Sequence, residues 1–158
     1  MLHARRLALA LTLLVTLAAG QAAAQDWFGV RSGYPLGVTL HYGIGNALGN
    51  GADLRISGRL VSSSGGVRVG VGADALLNVF ADGPVNAYVG AGPSVEFGPG
   101  TADLGVQGLV GGQFRFAQVG LPQLGLFAEG SVGASISLSG GSARIPTFGA
   151  ALGLNWYF

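Results

Sequence analysis

Apolar and polar residues alternate with a period of two along most of this chain. In the clearest run, between positions 66 and 80, one face carries Val67, Val69, Val71, Ala73, Ala75, Leu77 and Val79. Most of the opposite face is Gly66, Arg68, Gly70, Gly72, Asp74 and Asn78. Successive side chains of a strand point to opposite sides, whereas a helix would scatter these apolar residues around its circumference. The alternation recurs at 52–60, 85–97, 102–116, 124–138 and 145–158, which predicts an all-β fold.

Short turn-forming segments separate these runs: Ser62-Ser63-Ser64-Gly65, Asp82-Gly83-Pro84, Gly98-Pro99-Gly100, Pro122 and Ser139-Gly140-Gly141. Connections this short join antiparallel neighbours. At the start, residues 27–33 and 36–45 are predicted as the first two strands, with a turn at Tyr34-Pro35. The alternative is one bulged strand over 27–45, giving seven strands in all. Because single-chain bacterial barrels favour even counts, we predict eight.

The first 24 residues have the layout of a secretory signal peptide. Arg5 and Arg6 precede an apolar run from Leu7 to Gly20, and Ala22-Ala23-Ala24 provides small residues for cleavage before Gln25. This three-part order is typical of a cleaved leader rather than a retained membrane helix. The sequence therefore predicts an exported protein with one domain, residues 25–158.

Composition decides where such a domain would reside. Charged residues are 9% of the chain, Gly is 30 of 158 and Cys is absent, while about 25% charged residues is typical of globular proteins. Beyond the leader no apolar run approaches the ~20 residues of a spanning helix. A closed barrel is the other structure that satisfies the backbone inside lipid. We therefore predict a closed antiparallel up-and-down transmembrane β-barrel of about eight strands with short loops, in contact with membrane lipid.

The end of the chain carries a family resemblance. Residues 154–158, Leu-Asn-Trp-Tyr-Phe, close an amphipathic segment that ends on an aromatic residue. In this the sequence resembles the small eight-stranded bacterial outer-membrane β-barrel proteins. The resemblance implies an outer-membrane location and an assembly signal at Trp156 and Phe158, read by the barrel-assembly machinery. The short connections depart from the long loops of family members that act as adhesins or receptors.

Aromatic residues near strand ends fit an interfacial girdle at the level of the lipid headgroups. This set is Trp27, Phe28, Tyr42, Trp156, Tyr157 and Phe158.

If the apolar face meets lipid, the polar face lines the lumen. The lumen is then predicted to hold five basic and five acidic side chains: Arg31, Asp53, Arg55, Arg59, Arg68, Asp74, Glu96, Asp103, Arg115 and Glu129. Buried charges are costly unless paired, and eight strands leave an interior just wide enough for side chains. Equal numbers therefore predict a salt-bridged plug or a narrow wet interior.

These observations favour a non-enzymatic integral outer-membrane protein with a structural envelope role or narrow solute passage. One alternative is a lipid-modifying enzyme centred on His41, with Ser57 and Asp53 on the next strand. Another is a soluble exported barrel that binds an apolar ligand with its Val and Leu turned inward. No catalytic residue, metal site or cofactor is predicted, and without clustered cations no nucleic-acid partner is expected. The sequence leaves a transported small solute and the oligomeric state open.

Overall fold

The computed structural model describes residues 25–63 and 66–158. The predicted signal peptide lies outside these residues, as does part of the turn predicted at 62–65. Strands occupy most of the described chain: β1 Trp27–Tyr34, β2 Gly37–Gly49, β3 Ala52–Ser63, β4 Gly66–Asp82, β5 Val85–Gly98, β6 Thr101–Arg115, β7 Leu124–Ser137 and β8 Ala143–Tyr157.

Each strand pairs antiparallel with the next, and β1 pairs with β8 to close the ring. The predicted eight-stranded up-and-down barrel is thus confirmed. The seven-strand alternative is wrong, because β1 and β2 form a separate hairpin with Gly33 opposite Gly37. The connection near Pro122 is longer than predicted: β6 ends at Arg115, and a 3₁₀ turn, Phe116–Val119, follows it. Among the described residues there is no helix long and apolar enough to span a bilayer.

The alternation seen in the sequence separates the outside of the barrel from its interior. Valine and leucine side chains of every strand project outward and stay exposed, among them Val69, Leu104 and Leu152. This orientation is the opposite of the one that a soluble barrel with an apolar interior requires. The polar face turns inward, where Arg55, Asp74 and their neighbours are buried.

The two ends of the barrel differ. Both termini of the described domain lie at one end with the turns at 50–51, 83–84 and 116–123, and we call this the terminal end. The described connections at 35–36, 99–100 and 138–142 lie at the opposite end, which we call the loop end. The wall is not equally tall around that end, because β1 pairs with β8 only from Trp27↔Tyr157 to Tyr34↔Ala150. Pairing of β8 with β7 continues up to Ala143.

Candidate functional site

The middle of the lumen is crossed by an ion-paired cluster, which we call the central layer: Arg31, Arg55, Asp74 and Glu129. Glu129 accepts hydrogen bonds from both arginines, and Arg55 also donates to Asp74 at 2.9 Å. Arg55 and Asp74 are only 2% and 1% exposed. Two charges of each sign therefore neutralise one another inside the barrel, where an unpaired charge would be strongly unfavourable.

Strand register explains how these four side chains meet. Arg55 and Asp74 lie directly opposite each other on β3 and β4. Glu129 comes from β7, which lies across the ring from β3, so its bond with Arg55 joins opposite walls. Neutral donors complete the cluster: the Tyr88 hydroxyl donates to Glu129 at 2.8 Å, and the Gln107 amide donates to Asp74 at 2.9 Å. The central layer is thus a cross-link within a narrow lumen.

A second cluster lies nearer the loop end, and we call it the outer layer: Arg59, Arg68, Glu96 and Asp103. Glu96 and Asp103 face each other directly on β5 and β6, an arrangement that is unfavourable for like charges unless cations intervene. Arg68 lies 3.5 Å from Glu96 and donates to Asp103 at 2.5 Å, while Arg59 meets Glu96 at 3.1 Å. The side chains of Arg59 and Glu96 are 24% and 23% exposed, whereas those of Arg55 and Asp74 in the central layer are 2% exposed.

Eight of the ten predicted lumen charges thus belong to these two ion-paired layers. The other two, Asp53 and Arg115, form no ion pair among the described residues. Asp53 accepts from the backbone N–H of Asn46 at 2.7 Å. The Arg115 guanidinium lies 3.7 Å above the Tyr157 ring and donates to Gln25 at 3.0 Å. Both lie toward the terminal end of the barrel.

Large aromatic and aliphatic side chains fill much of the remaining lumen, a filling that the charge pattern of the sequence does not predict. They are Trp27, Leu76, Tyr88, Leu109, Phe127 and Tyr157. The expected girdle position is wrong for two of them, since Trp27 is 6% and Tyr157 5% exposed. Their rings instead lie 5.9 Å apart inside the terminal end. The alternation along β1 predicts a lumen position for Trp27, because Trp27 lies four residues before Arg31 and therefore faces the same side of the strand.

Glycines on neighbouring strands make room for these rings. A β-carbon on Gly43 would lie 2.0 Å from the Trp27 ring, and one on Gly111 would lie 2.4 Å from the Tyr88 ring. Real side chains do not tolerate such distances, so the lumen glycines are needed wherever a bulky residue leans across from the next strand. A bulky side chain on one strand thus lies over a glycine on the next, and together they fill the narrow interior of an eight-stranded barrel.

His41 belongs to a polar group in the same terminal half of the lumen. Its Nε2 lies 2.8 Å from Asn155 Oδ1, and its ring meets the Phe127 ring edge-on at a centroid distance of 5.5 Å. Ser57, opposite His41 on β3, instead donates to the Gly72 carbonyl at 3.4 Å. Asp53 likewise accepts hydrogen bonds from Asn46 and Asn78 rather than from His41 or Ser57. The three residues of the enzyme hypothesis therefore have separate partners.

A cavity of about 220 Å³ occupies the lumen between the loop end and the central layer. Arg31 and Glu129 lie at its floor, and Arg59, Glu96 and Asp103 line its side. Below that floor, the terminal half of the lumen is filled by the aromatic and amide side chains described above. The lumen is therefore accessible from the loop end, and the ion pairs of the central layer cross its middle.

Two solved structures are similar to this barrel. The N-terminal β-barrel domain of Pseudomonas aeruginosa OprF shares 13% identity and a TM-score of 0.58, over 85% of this chain and 96% of that one. The fold is that of an eight-stranded outer-membrane barrel. Neisserial surface protein A matches with 16% identity and a TM-score of 0.48, over 85% of this chain and 94% of that one. No protein-family model and no curated protein matches the sequence.

In this outer-membrane barrel fold, Trp156 in β8 and Phe158 directly after it face outward, while Tyr157 between them faces the lumen. Trp156 is 54% and Phe158 63% exposed, and the Phe158 backbone N–H donates to the Asp26 carbonyl at 3.1 Å. The Asp26 carboxylate in turn accepts from the Tyr42 hydroxyl at 2.8 Å. The assembly signal remains a prediction, but both side chains are accessible on the outer surface of the strand that closes the ring.

Proposed function

We propose that this protein is a non-enzymatic integral barrel of a bacterial outer membrane, that its lumen is closed, and that it has a structural role in the envelope. The observation that carries the proposal is the central layer, where Arg55 joins Glu129 on the opposite wall and Asp74 on the neighbouring strand. A hydrated pore would leave such charges in water, whereas here they neutralise one another away from it. Closure favours the structural role over the passage of solutes.

The membrane location is supported by the outer surface of the barrel. Exposed apolar side chains occur on every strand, and a surface of this kind is unfavourable in water. The predicted leader would deliver the chain to the periplasm, and the aromatic end of β8 fits the assembly signal of outer-membrane barrels. Together these features favour the outer membrane over a soluble periplasmic state.

Gel mobility tests the location and the closed ring together. The purified outer-membrane fraction would be run with and without heating in SDS. We expect the protein in this fraction, with a faster band before heating, because a closed barrel resists SDS until it is heated. A single mobility and recovery from the soluble periplasmic fraction would refute the membrane proposal.

Conductance across a planar lipid bilayer tests the closed lumen. We expect the wild-type protein to be silent or nearly so, because the central layer crosses the path. Arg55→Ala combined with Phe127→Ala removes the side chain that links Asp74 to Glu129 and a buried ring of the filled terminal half, and should introduce measurable current. Asp82→Asn, an exposed position at the end of β4, is the control and should stay silent. Steady ohmic conductance in the wild type would instead favour narrow solute passage.

The non-enzymatic part of the proposal is supported by the surroundings of His41. Its ring contacts Phe127 and Asn155, while general-base catalysis requires contact with a nucleophile and with an orienting group. We expect His41→Ala cells to have unchanged envelope lipids. A changed acylation pattern, restored by the wild-type gene, would show that the chain modifies lipid.

A further inference from the structure

The barrel wall has a notch at the loop end, between β8 and the β1–β2 hairpin. β8 pairs with β1 only up to Ala150. The first seven residues of β8, 143–149, therefore have no strand partner among the described residues on the side that faces β1. At ~3.3 Å per residue this unpaired edge is roughly 23 Å long. At the β2–β3 seam the unmatched overhang is short: beyond its last pair with β2, Gly37↔Val61, β3 extends only over Ser62 and Ser63. The notch is therefore a specific feature of the β1–β8 seam.

The notch connects the cavity of the lumen with the outer surface. Tyr34 and Pro35 line the cavity from the hairpin side, and Thr147 and Gly149 line it from β8. The three most exposed large apolar side chains of the described residues, Ile145 at 74%, Tyr34 at 72% and Leu36 at 71%, all border the notch. A polar cavity thus opens sideways onto an apolar rim.

The charges of the cavity favour an anionic occupant. Arg31, Arg59 and their acidic partners neutralise one another in the two layers. Arg144 also lines the cavity at the notch, and it forms no ion pair among the described residues. One positive charge therefore remains beside a strand edge whose backbone groups lack a strand partner. Lipid tails cannot satisfy such backbone groups, whereas the oxygen atoms of a polar headgroup can.

A peptide strand added to this edge is less favourable. Pro146 lies in the middle of the unpaired segment and has no backbone N–H to donate. The pairing of β7 with β8 is also irregular there, between Gly133 and Ser135. Proline, bulges and charged side chains are the features that prevent strand edges from pairing with other chains. The edge therefore favours a small polar group over a β-strand.

From this juxtaposition we infer that the notch binds an anionic phospholipid, with its phosphate beside Arg144 in the cavity and its acyl chains on the exposed rim formed by Tyr34, Leu36 and Ile145. The apolar rim matches the acyl chains of such a lipid, and the polar cavity matches its headgroup. The inference rests on the membrane location proposed above. It does not depend on whether the central layer conducts.

Native mass spectrometry of the full-length protein purified in a nonionic detergent tests this inference. Phosphatidylglycerol and phosphatidylcholine would be titrated separately, with glycerol phosphate as the headgroup without chains. We expect one phosphatidylglycerol to bind at least about tenfold more tightly than phosphatidylcholine, and glycerol phosphate to bind much more weakly because it lacks the chains. Arg144→Gln should weaken phosphatidylglycerol binding about tenfold, because it removes a charge-assisted hydrogen bond to phosphate.

Two further variants make the result specific. Arg115→Gln removes, at the terminal end, the other arginine that forms no ion pair within residues 25–63 and 66–158, and should leave binding unchanged. Ser135→Phe fills the cavity beside the notch and should abolish binding. Equal affinity for the two lipids, equal effects of the two arginine variants, or unchanged binding by Ser135→Phe would each overturn the inference. Insertion of every variant into phosphatidylcholine vesicles is measured in parallel, so that failure of the wild type to insert would count against the membrane location instead.

Discussion

Glu129 is the acid that holds the central layer together, and replacing it by glutamine tests how that layer stabilises the barrel. The carboxylate accepts from Arg31, Arg55 and the Tyr88 hydroxyl. Glutamine preserves the size of the side chain and one acceptor oxygen, but removes one of two negative charges. Arg55 keeps its contact with Asp74 at 2.9 Å, whereas Arg31 loses its ion pair.

The expected loss of unfolding free energy follows from burial. Removing one partner of a buried ion pair typically costs about 3–5 kcal/mol, because the other charge remains without compensation. The side chains of Arg31 and Glu129 are 13% and 4% exposed, so little water reaches the charge that is left without a partner. Since the glutamine carbonyl still accepts one hydrogen bond, we expect a loss near the lower end, about 3 kcal/mol.

Equilibrium unfolding measures this loss. The protein would be reconstituted in phosphatidylcholine vesicles and unfolded in guanidinium chloride, with tryptophan fluorescence as the signal and reversibility checked from both directions. Asp82→Asn removes a negative charge at an exposed position and should change stability by less than ~0.5 kcal/mol. A Glu129→Gln loss no larger than that of this control would refute the buried-pair argument.

A double variant separates charge balance from loss of contact. Arg31→Gln alone leaves the layer with excess negative charge, and Glu129→Gln alone leaves it with excess positive charge. Together they restore neutrality around the intact Arg55–Asp74 pair. We therefore expect the double variant to be more stable than Glu129→Gln, with a coupling free energy of about 1–3 kcal/mol. Additive losses would show that the four residues do not act as one electrostatic unit.

Three further predictions concern packing, sidedness and assembly. Gly111→Ala should destabilise the barrel by about 1–3 kcal/mol in the same unfolding assay, because the new methyl group would meet a tyrosine ring at 2.4 Å; Gly58→Ala, with open space around it, is the matched control and should cost less than ~1 kcal/mol. Brominated lipids should strongly quench a variant that retains only Trp156, and only weakly one that retains only Trp27; equal quenching would contradict the lumen position. Phe158→Ala should reduce the amount of folded protein in cells while leaving refolding in detergent unchanged, and loss of both would indicate a structural role instead.

The strands were predictable because alternation is a local property of the sequence. The run from 85 to 97 became β5, Val85–Gly98, and the run from 124 to 138 became β7, Leu124–Ser137. The first hairpin was the ambiguous part, since β1 has only 8 residues. The notch exists because β1 is shorter than β8, so the sequence of β1 alone does not predict it. The notch follows from how far β8 extends beyond its partner.

The interior was harder to predict than the wall. Hydrophobicity alone would place Phe127 and Leu76 against lipid, whereas their position in the alternation along the strand places them inside the lumen, where both are buried. Which charges pair depends on closure of the ring. Arg68 on β4 donates to Asp103 on β6 across the intervening strand, a contact that local spacing does not encode. The equal numbers of acids and bases predicted pairing, while the identities of the partners required the register.

The width of the barrel connects these observations with the proposed function. Arg55 and Glu129 come from opposite walls of the ring and still meet, which requires a lumen narrow enough for two side chains to span. Glycine on the neighbouring strands supplies the remaining space, as at Gly70, where a β-carbon would lie 2.9 Å from Arg59. A wider ring would separate the two walls and leave these charges in water, where their pairing would contribute little. The same narrowness supports the proposal that the lumen is closed to solutes, because the ion pairs that stabilise the barrel also cross its interior.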